Sequence, residues 1–458
     1  MKRSHRLLLA VPAIAAVTAV AAPAHAARPQ AAPRATVTLN IATVNNPQMI
    51  DMEHLAPLYF EKQYGIKVNF VTLPENTIRE KITQDVATGG GQFDLATVGT
   101  YEVPIFAKNG WLTNLGPYFN TLSSSAKASY DLNDVLGQVK KGLSYKGNLY
   151  SLPFYGESSM TFYNKSLLKA AGLTMPLHPT WTQIQSMAAK LTNKSKNQYG
   201  IVLRGLPGWG EMGAPMTTVI NTFGGEWFNE QWQPQLTSTA TAAAIKFYVN
   251  MIRNYGPPGS QNNGFTESET VFSQGKGAIW VDATSAAGLV TDAKNSKVAS
   301  DVGFAYSPTE VTPKGSHWLW AWSLAMESAS KNKNAAFTFL RWATSKDYIK
   351  LVANYKGWGN VPPGTRYSTF ENASYKQAAP YSSIILQSIQ TADPTNSTLN
   401  KVPYVGVQFV GIPEFQGIGT KVTTNLSAAI TGATSVDAAL LLSQQQTERT
   451  MRDAGYLK

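Results

Sequence analysis

Six carboxylate side chains lie next to loops or predicted strand ends, where they could act on a ligand: Glu75, Glu157, Glu211, Glu226, Asp282 and Glu414. A glycoside hydrolase needs two carboxyl groups about 5–10 Å apart, one protonated and one ionised. The same oxygens serve equally well as hydrogen-bond acceptors for ligand hydroxyl groups. These residues therefore leave two chemistries open, cleavage of a glycoside and non-covalent binding of a hydroxylated ligand.

Aromatic side chains are concentrated in a few segments of the chain. Trp318, Trp320 and Trp322 alternate in the strand-like run HWLWAW. Because successive strand residues point to opposite faces, this spacing predicts three indoles on one face. Trp280 lies near the end of a predicted strand, and Trp358 lies in the loop GWGNVPPGTR. Each indole is either a core residue or part of a cleft, and the neighbouring glycines and loops favour a cleft lined by at least two of them.

A glycine-rich segment at residues 208–213, GWGEMG, has the spacing G-x-G-x-x-G. A dinucleotide site with this motif needs small residues in a tight turn between a strand and a helix. Here Pro207 precedes the segment, and Trp209 stands where a pyrophosphate would approach. We therefore interpret the segment as a loop that displays Arg204, Trp209 and Met212 to a ligand.

Other catalytic patterns find little support. The sequence has no cysteine and no G-x-S-x-G, and beyond residue 26 its histidines are His54, His178 and His317. The lack of cysteine excludes disulfides and thiolate chemistry, and the scattered histidines disfavour a Ser-His-Asp triad or a metal site. We expect no metal, no cofactor and no enzymatic activity.

The N-terminal residues resemble an export signal. Three basic residues precede an apolar, alanine-rich run, and AHA at residues 24–26 is a small-x-small cleavage site. Prolines at positions 12 and 23 interrupt the run, which disfavours the alternative of a membrane anchor. Residues 1–26 are the predicted signal peptide, and residues 27–36, rich in Pro and Ala, the predicted flexible leader. The predicted compartment is a bacterial periplasm.

Length and composition indicate a globular protein of two to three structural units. The chain has 458 residues, of which 43 % are hydrophobic and 15 % are charged. Its formal net charge of +11 falls by three when the predicted signal peptide is removed. The remaining basic residues are spread along the chain without a run of five or more, which argues against a nucleic-acid partner.

The predicted elements show how these residues could be positioned. Strands at 37–44, 66–73 and 93–98 alternate with helices at 51–64 and 77–87, which is typical of βαβ units and a mostly parallel sheet. The remaining predicted elements are a hairpin at 145–151, helices at 161–171, 181–191, 237–255 and 334–343, strands at 201–204, 278–282 and 302–306, and a helical tail over 420–451.

The segment YKGNLYSLP at residues 145–153 resembles the Y-x-G-K-x-Y-x-L-P segment of extracellular solute-binding proteins of ABC sugar importers. Further segments that resemble this family follow in its order: FYNK at 162–165, AGL at 171–173, PTW at 179–181, F-x-x-G-K-G-A at 272–278 and the strand at 316–326. Each segment is a weak signal alone, but their common order and spacing make the resemblance specific, and it covers nearly the whole chain after the predicted signal peptide.

A finer resemblance is to the sorbitol- and mannitol-binding members of that family. It rests on RGLPGWGEMGAP at 204–215, WLWAW at 318–322, VPPGTR at 361–366 and QFVGIPEF at 408–415. The resemblance implies a small-molecule polyol or sugar as ligand and the membrane subunits of an ABC permease as partner. We expect the chain to act as a monomer.

The resemblance also implies a fold. It is an α/β, two-lobed periplasmic-binding-protein type II fold with the ligand cleft between the lobes. The predicted N-lobe comprises residues 37–157 and 303–345, and the predicted C-lobe comprises residues 158–302 and 346–458. Closure of the lobes around the ligand is the motion expected of this class.

The predicted ligand-binding residues are Asn45, Asn46, Glu75, Tyr101, Tyr155, Glu157, Arg204, Trp209, Met212, Trp280, Asp282, Trp320, Trp358 and Gln408. Glu157 and Asp282 are the candidate acceptors and Arg204 the candidate charged donor, because hydrogen bonds to charged groups contribute about 1.5–3 kcal/mol each. The aromatic residues would cover the carbon chain of the ligand. The alternatives are a binder of a cyclic mono- or disaccharide, an exported glycoside hydrolase, and a free-standing carbohydrate adhesin.

Overall fold

The structure is a computed structural model that describes residues 37–458. The predicted signal peptide and leader lie outside the described residues. The strands are β1 Thr38–Val44, β2 Lys67–Leu73, β3 Leu95–Val98, β4 Ser144–Tyr145, β5 Asn148–Leu149, β6 Ser151–Glu157, β7 Ser159–Asn164, β8 Tyr199–Val202, β9 Gly277–Ala283, β10 Val302–Tyr306 and β11 Trp320–Met326.

Helices pack around these strands. The α-helices are Pro47–Leu55, Glu61–Tyr64, Glu75–Thr88, Glu102–Lys108, Gly116–Asn120, Ser124–Tyr130, Gly137–Gly142, Lys165–Ala170, Trp181–Leu191, Gly213–Thr222, Thr239–Tyr255, Phe265–Ser273, Ala287–Val290, Lys333–Ala343, Lys346–Lys356, Tyr367–Glu371, Ala373–Ala378, Ser382–Thr391, Phe415–Thr431 and Val436–Asp453. The 3₁₀ turns are Leu132–Asp134, Lys194–Lys196, Ser260–Asn262, Thr284–Ala286 and Trp358–Asn360, and a π turn covers Ala56–Phe60. Across residues 37–458, none of the helices combines the length and apolar character needed to cross a membrane.

The first sheet has the strand order β2-β1-β3-β11-β6. β1 pairs in parallel with β2 and β3, which confirms the predicted βαβ units at the start of the chain. β11 pairs antiparallel with both β3 and β6. The sheet is therefore mixed rather than mostly parallel, because a strand from much later in the chain is inserted between β3 and β6.

The second sheet has the strand order β10-β7-β9-β8, with β8 and β9 parallel and the other pairs antiparallel. β10 pairs with β7 over its whole length. The sequence predicts that the chain returns to the N-lobe at residue 303. This residue lies in β10, which belongs to the second sheet, and the chain returns to the first sheet only at β11. The rest of the predicted lobe division is taken up below as a proposal.

A single residue, Ser158, separates β6 of the first sheet from β7 of the second. Its N–H donates to Thr284 Oγ1 at 3.0 Å, and the Thr284 N–H donates to the Ser158 carbonyl at 2.7 Å. These two bonds hold the crossing between the sheets against the 3₁₀ turn that follows β9. β6 and β9 are buried along their whole length, so the polar residues near their ends, Glu157 and Asp282, are carried into the interior.

Local sequence explains where two of the predictions depart from the structure. The predicted helix at 161–171 is wrong in its first half, because residues 161–164 belong to β7 and Asn164 caps the short helix that follows, its Oδ1 accepting from the Leu167 N–H at 2.9 Å. The predicted helical tail is two helices, since Gly432 adopts a left-handed φ of 80° and ends the first of them.

Candidate functional site

A cavity of about 450 Å³, mouth included, lies where the ends of β6 and β11 meet the loops that follow β8 and β9. The residues that line it are Asn46, Glu75, Arg79, Tyr155, Glu157, Arg204, Trp209, Gly210, Ala214, Phe265, Ser285, Trp318, Trp320, Trp322 and Gln408.

One wall of the cavity is the tryptophan run of β11. Trp320 lies opposite Glu157 and Trp322 opposite Tyr155 in the antiparallel register with β6. The two indole centroids are 5.4 Å apart and nearly perpendicular. Trp318, which precedes the strand, also lines the cavity. The predicted placement of the three indoles on one face is confirmed, and this run supplies three of the four indoles that line the cavity.

A buried arginine stands against these rings. The guanidinium carbon of Arg79 lies 4.4 Å from the ring centroid of Trp209, 4.9 Å from that of Trp320 and 4.5 Å from that of Trp322. A cation over an aromatic face is attracted by the quadrupole of the ring, more so where water is excluded. Arg79 therefore fixes three of the indoles that line the cavity.

Two carboxylates neutralise this arginine. Its Nη2 donates to Glu75 Oε1 at 3.0 Å, one helical turn earlier, and its Nη1 pairs with Glu102. The other oxygen of Glu102 accepts from the Gly99 N–H at 2.9 Å. The charges at this side of the cavity are thus paired with one another, as buried charges must be.

The second arginine of the site, Arg204, forms a fork with Asp282. Nε lies 3.0 Å from Oδ2 and Nη2 lies 2.5 Å from Oδ1. Nη1 donates to the Gly210 carbonyl at 3.1 Å. Asp282 is fully buried and also accepts from Trp280 Nε1 at 3.1 Å. Arg204 therefore reaches the cavity, whereas Asp282 lies behind it and orients the arginine.

Glu157 is the carboxyl group at the centre of the cavity wall. Its Oε2 accepts from Ser285 Oγ at 2.5 Å. Burial raises the pKa of Glu157 to about 8, although the Ser285 hydrogen bond and the nearby charge of Arg204 act in the opposite direction. Near neutral pH this group is mostly protonated, so it can both donate and accept a hydrogen bond.

A second carboxyl group, Glu211, lies close to the cavity but does not line it. Burial raises the pKa of Glu211 to about 7, and the negative charge of Glu75 adds to this effect. Its Oε2 accepts from the Phe265 N–H at 3.1 Å and lies 3.4 Å from Arg204 Nη1. These contacts engage the carboxyl group in the protein itself.

Three residues that line the cavity each carry a buried polar atom with no hydrogen-bond partner among the described residues: Trp209 Nε1, Trp318 Nε1 and Gln408 Oε1. The amide of Gln408 is held in place because its Nε2 donates to the Leu319 carbonyl at 3.0 Å. Most buried polar groups in native proteins are hydrogen-bonded, so two free donors and a free acceptor around one small space favour a ligand that both accepts and donates. A hydroxylated, uncharged molecule meets this requirement.

The profile of the family described as bacterial extracellular solute-binding protein matches residues 46–350. The chain is a bacterial extracellular solute-binding protein. This solute-binding protein is 49 % identical over 421 residues to a mannitol-binding protein of Pseudomonas aeruginosa, an alignment that covers 92 % of this chain and 94 % of that protein. It is 25 % identical over 356 residues to an erythritol/L-threitol-binding protein of Mycolicibacterium smegmatis, covering 75 % and 73 % of the two chains.

Solved structures show the same relationship. The crystal structure of an ABC transporter solute-binding protein from Agrobacterium vitis, with bound D-mannitol, matches with a TM-score of 0.89 and 50 % identity over 92 % of this chain and all of that chain. A maltose-bound protein from T. maritima matches in fold, with a TM-score of 0.73, 19 % identity and coverage of 90 % and 99 %. The predicted two-lobed fold of this solute-binding protein is confirmed.

The cavity brings together eight of the fourteen residues predicted to bind the ligand: Asn46, Glu75, Tyr155, Glu157, Arg204, Trp209, Trp320 and Gln408. Asn46 is also tied to the wall opposite it, since its Nδ2 donates to Tyr155 Oη at 2.8 Å. This bond joins the end of β1 to β6 and so fixes one corner of the site.

The other six predicted residues lie outside the cavity lining. Asn45 is exposed beside it, and Tyr101 packs behind Trp209 with the ring centroids 4.5 Å apart. Asp282 and Trp280 lie in the core beneath the site, and Trp280 stacks on Phe162 at 4.9 Å. Met212 is fully buried behind the loop that bears Trp209, and Trp358 is half-buried at the start of a 3₁₀ turn.

The prediction did not include seven residues that line the cavity: Arg79, Gly210, Ala214, Phe265, Ser285, Trp318 and Trp322. Arg79 carries a recognisable signal, because it stands four residues after Glu75 on one helix face. The alternation of HWLWAW already pointed to Trp318 and Trp322. Phe265 and Ser285 reach the cavity only through the packing of distant segments, for which no local pattern exists.

Proposed function

We propose that this solute-binding protein captures a linear sugar alcohol of the mannitol or sorbitol type in the periplasm and delivers it, unchanged, to the membrane subunits of an ABC importer. The observation that carries the proposal is the set of unpartnered polar atoms around a tryptophan-walled space. The ligand bound in the Agrobacterium vitis structure, D-mannitol, supports the same class of molecule.

The roles of the cavity residues follow from their geometry. Arg204 supplies charged N–H groups, Glu157 donates and accepts, and Gln408 Oε1 accepts from ligand hydroxyls. Trp318 and Trp320 cover the carbon chain and offer indole N–H or ring surface. A flexible polyol loses rotational freedom on binding, and these several directed bonds offset that cost.

Closure of two lobes over the ligand accounts for its burial. We propose an N-lobe built on the first sheet and a C-lobe built on the second, as predicted apart from β10. Contacts across the mouth support this division: Asn76 Nδ2 donates to the Pro207 carbonyl at 3.0 Å, and Tyr101 Oη donates to the Ile412 carbonyl at 2.8 Å. Such bonds form only when the two parts approach each other.

Thermal unfolding of residues 27–458 tests the ligand class. The panel is mannitol, sorbitol, arabitol, xylitol, glucose, fructose and maltose. A ligand at 100 times its Kd stabilises a protein by about 2.7 kcal/mol. We expect the hexitols to raise Tm, whereas a rise with cyclic sugars alone would refute the polyol assignment. Release of the chromophore from aryl glycosides above the blank would refute the absence of catalysis.

A pair of tryptophan variants localises the binding. Trp320→Phe changes a residue of the cavity wall, and Trp358→Phe changes a half-buried indole outside it. We expect calorimetry to show weaker hexitol binding for Trp320→Phe and an unchanged Kd for Trp358→Phe. The reverse result would place the ligand elsewhere.

A further inference from the structure

A second and larger space lies on the far side of the cavity wall. It measures about 1,560 Å³, including its opening to solvent. Its residues on the wall side are Tyr101, Leu319, Val407 and Phe409, and its rim includes Gln138 and Asp393. The two spaces are therefore separated by one layer of side chains.

Alternation along two segments builds this layer. Trp320 lines the cavity and Leu319 lines the second space, and in the same way Gln408 lines the cavity and Phe409 the second space. Trp320 begins β11, where successive residues point to opposite faces. Gln408 and Phe409 lie in a bend, and their side chains line different spaces.

Four rings close the gap between the two spaces. Tyr101 lies 4.5 Å from Trp209 and 5.4 Å from Phe409, measured between ring centroids. Trp320 lies 5.9 Å from Trp209 and 6.1 Å from Phe409. We call Tyr101, Trp209, Trp320 and Phe409 the four-ring partition. Its tilted and edge-on contacts are the arrangements that aromatic pairs prefer.

Hydrogen bonds hold the partition in place. Tyr101 Oη donates to the Ile412 carbonyl at 2.8 Å and accepts from the Gln416 N–H at 3.2 Å. The Leu319 carbonyl accepts from Gln408 Nε2 at 3.0 Å and from Thr100 Oγ1 at 3.3 Å. The partition is thus tied on both sides in this closed arrangement, in which Tyr101 and Trp320 come from the proposed N-lobe and Trp209 and Phe409 from the proposed C-lobe.

We propose that the four-ring partition sets the upper limit on ligand length, an inference that rests on the proposed function. A hexitol ends at the partition. A disaccharide alditol would need to pass through it, so that its second sugar unit enters the larger space. The apolar floor and polar rim of that space suit a sugar ring, and only the partition prevents access.

Calorimetry with mannitol and maltitol tests this inference. The wild-type protein is expected to bind mannitol and to bind maltitol at least about a hundredfold more weakly, a discrimination within the range of steric exclusion by a shaped pocket. Phe409→Ala removes one of the two partition rings that line the second space, and we expect it to narrow the ratio of the two affinities at least tenfold. Phe409→Leu, which keeps most of the apolar volume, is expected to narrow it less.

Phe337→Ala is the matched control. Phe337 is as buried as Phe409, and it packs against Phe119 at 5.2 Å in a cluster that lines neither space. It should lower Tm without changing the affinity ratio. If Phe409→Ala does not fold, Leu319→Ala opens the same layer from its other segment.

Two results would overturn the inference: maltitol binding by the wild-type protein within tenfold of mannitol, or an unchanged affinity ratio in folded Phe409→Ala and Leu319→Ala. Failure of the wild-type protein to bind mannitol is a different result, because it would refute the proposed function itself.

Discussion

Arg204 and Asp282 form a buried fork in which Nε lies 3.0 Å from Oδ2 and Nη2 lies 2.5 Å from Oδ1. Only the arginine lines the cavity, because the carboxylate lies wholly in the core. The carboxylate thus determines where the guanidinium points. Nη1 is engaged by the Gly210 carbonyl and Glu211, so one N–H of Nη2 is left without a partner among the described residues. Of the two, only Arg204 is placed to contact the ligand.

Asp282→Asn is expected to destabilise the protein strongly. Loss of one partner of a buried ion pair typically costs about 3–5 kcal/mol, because the other charge stays buried without compensation. Thermal unfolding measures the loss. Asp437→Asn is the control, since Asp437 pairs with Lys246 at the same 2.5 Å but on the surface. An exposed pair contributes about 0–1 kcal/mol, and equal losses in both variants would contradict the assignment.

Glu157→Gln is expected to retain binding, whereas Glu157→Leu is expected to lose it. Glutamine preserves a donor and an acceptor, as the mostly protonated carboxyl group does near neutral pH. Leucine leaves the ligand hydroxyls unpaired, and the loss of about 1–3 kcal/mol corresponds to roughly five- to 150-fold weaker binding. Calorimetry with mannitol at pH 6.5 decides, and equal affinities for both variants would remove Glu157 from contact with the ligand.

Gly210→Ala is expected to weaken ligand binding. A Cβ at this position would lie within 2.3 Å of Glu75 Oε1, which the Arg79 ion pair holds in place. The loop bearing Trp209 would have to withdraw from the helix that begins at Glu75. Gly417→Ala is the control, because a Cβ there meets no atom within 4 Å and alanine favours the helix by about 0.5–1 kcal/mol. We expect a higher Kd for mannitol only in Gly210→Ala, and an unchanged Kd in both would be contrary to this account.

Glu327→Gln is expected to change how stability depends on pH. Burial, together with the nearby negative charge of Asp85, raises the pKa of Glu327 from 4.5 to about 9. Well below pH 4.5 the carboxyl group is protonated in both the folded and the unfolded state, so its ionisation does not lower the stability of the wild-type protein. Between these two values the unfolded chain loses the proton first, and stability falls by at most about 1.4 kcal/mol per pH unit.

Glutamine cannot ionise, so the variant should gain stability relative to the wild-type protein as pH rises from 5 to 8.5. Denaturant unfolding at pH 5, 7 and 8.5 gives the three differences in free energy. Glu327 lies away from the cavity, so mannitol should shift both proteins alike. If the free energies of unfolding of the variant and the wild-type protein changed in parallel across this pH range, the prediction would be contradicted. The pKa of Glu327 would then be the same in the folded protein and the unfolded chain.

Local patterns in the sequence predict the parts of the fold and site that depend on local geometry. The period-two run HWLWAW predicts a wall of indoles. The alternation of strands and helices predicts that β1, β2 and β3 form βαβ units. The strand β7 was hidden because its residues run directly into a helix, and only Asn164, a good N-cap, marks the boundary.

Contacts between distant segments are what the sequence could not show. The depth of Asp282 and Arg204 in the fold decides which of them can contact the ligand. The sequence shows one acidic and one basic residue but not which of the two lies deeper. Ser285 contacts Glu157 across 128 positions of the chain. Trp358, in a glycine-rich loop, was predicted to bind the ligand just as Trp320 was, yet it does not line the cavity. Such distinctions arise from tertiary packing alone.

The single residue between β6 and β7 has a consequence for motion. Since Ser158 is all that separates the two sheets at this crossing, rotation of one sheet against the other is taken up there by very few backbone dihedral angles. In the proposed opening of the lobes, Glu157, its neighbour, would stay close to this crossing and move less than residues farther from it. A ligand hydroxyl group that binds this carboxyl group first would then keep its position while the other lobe closes over the ligand.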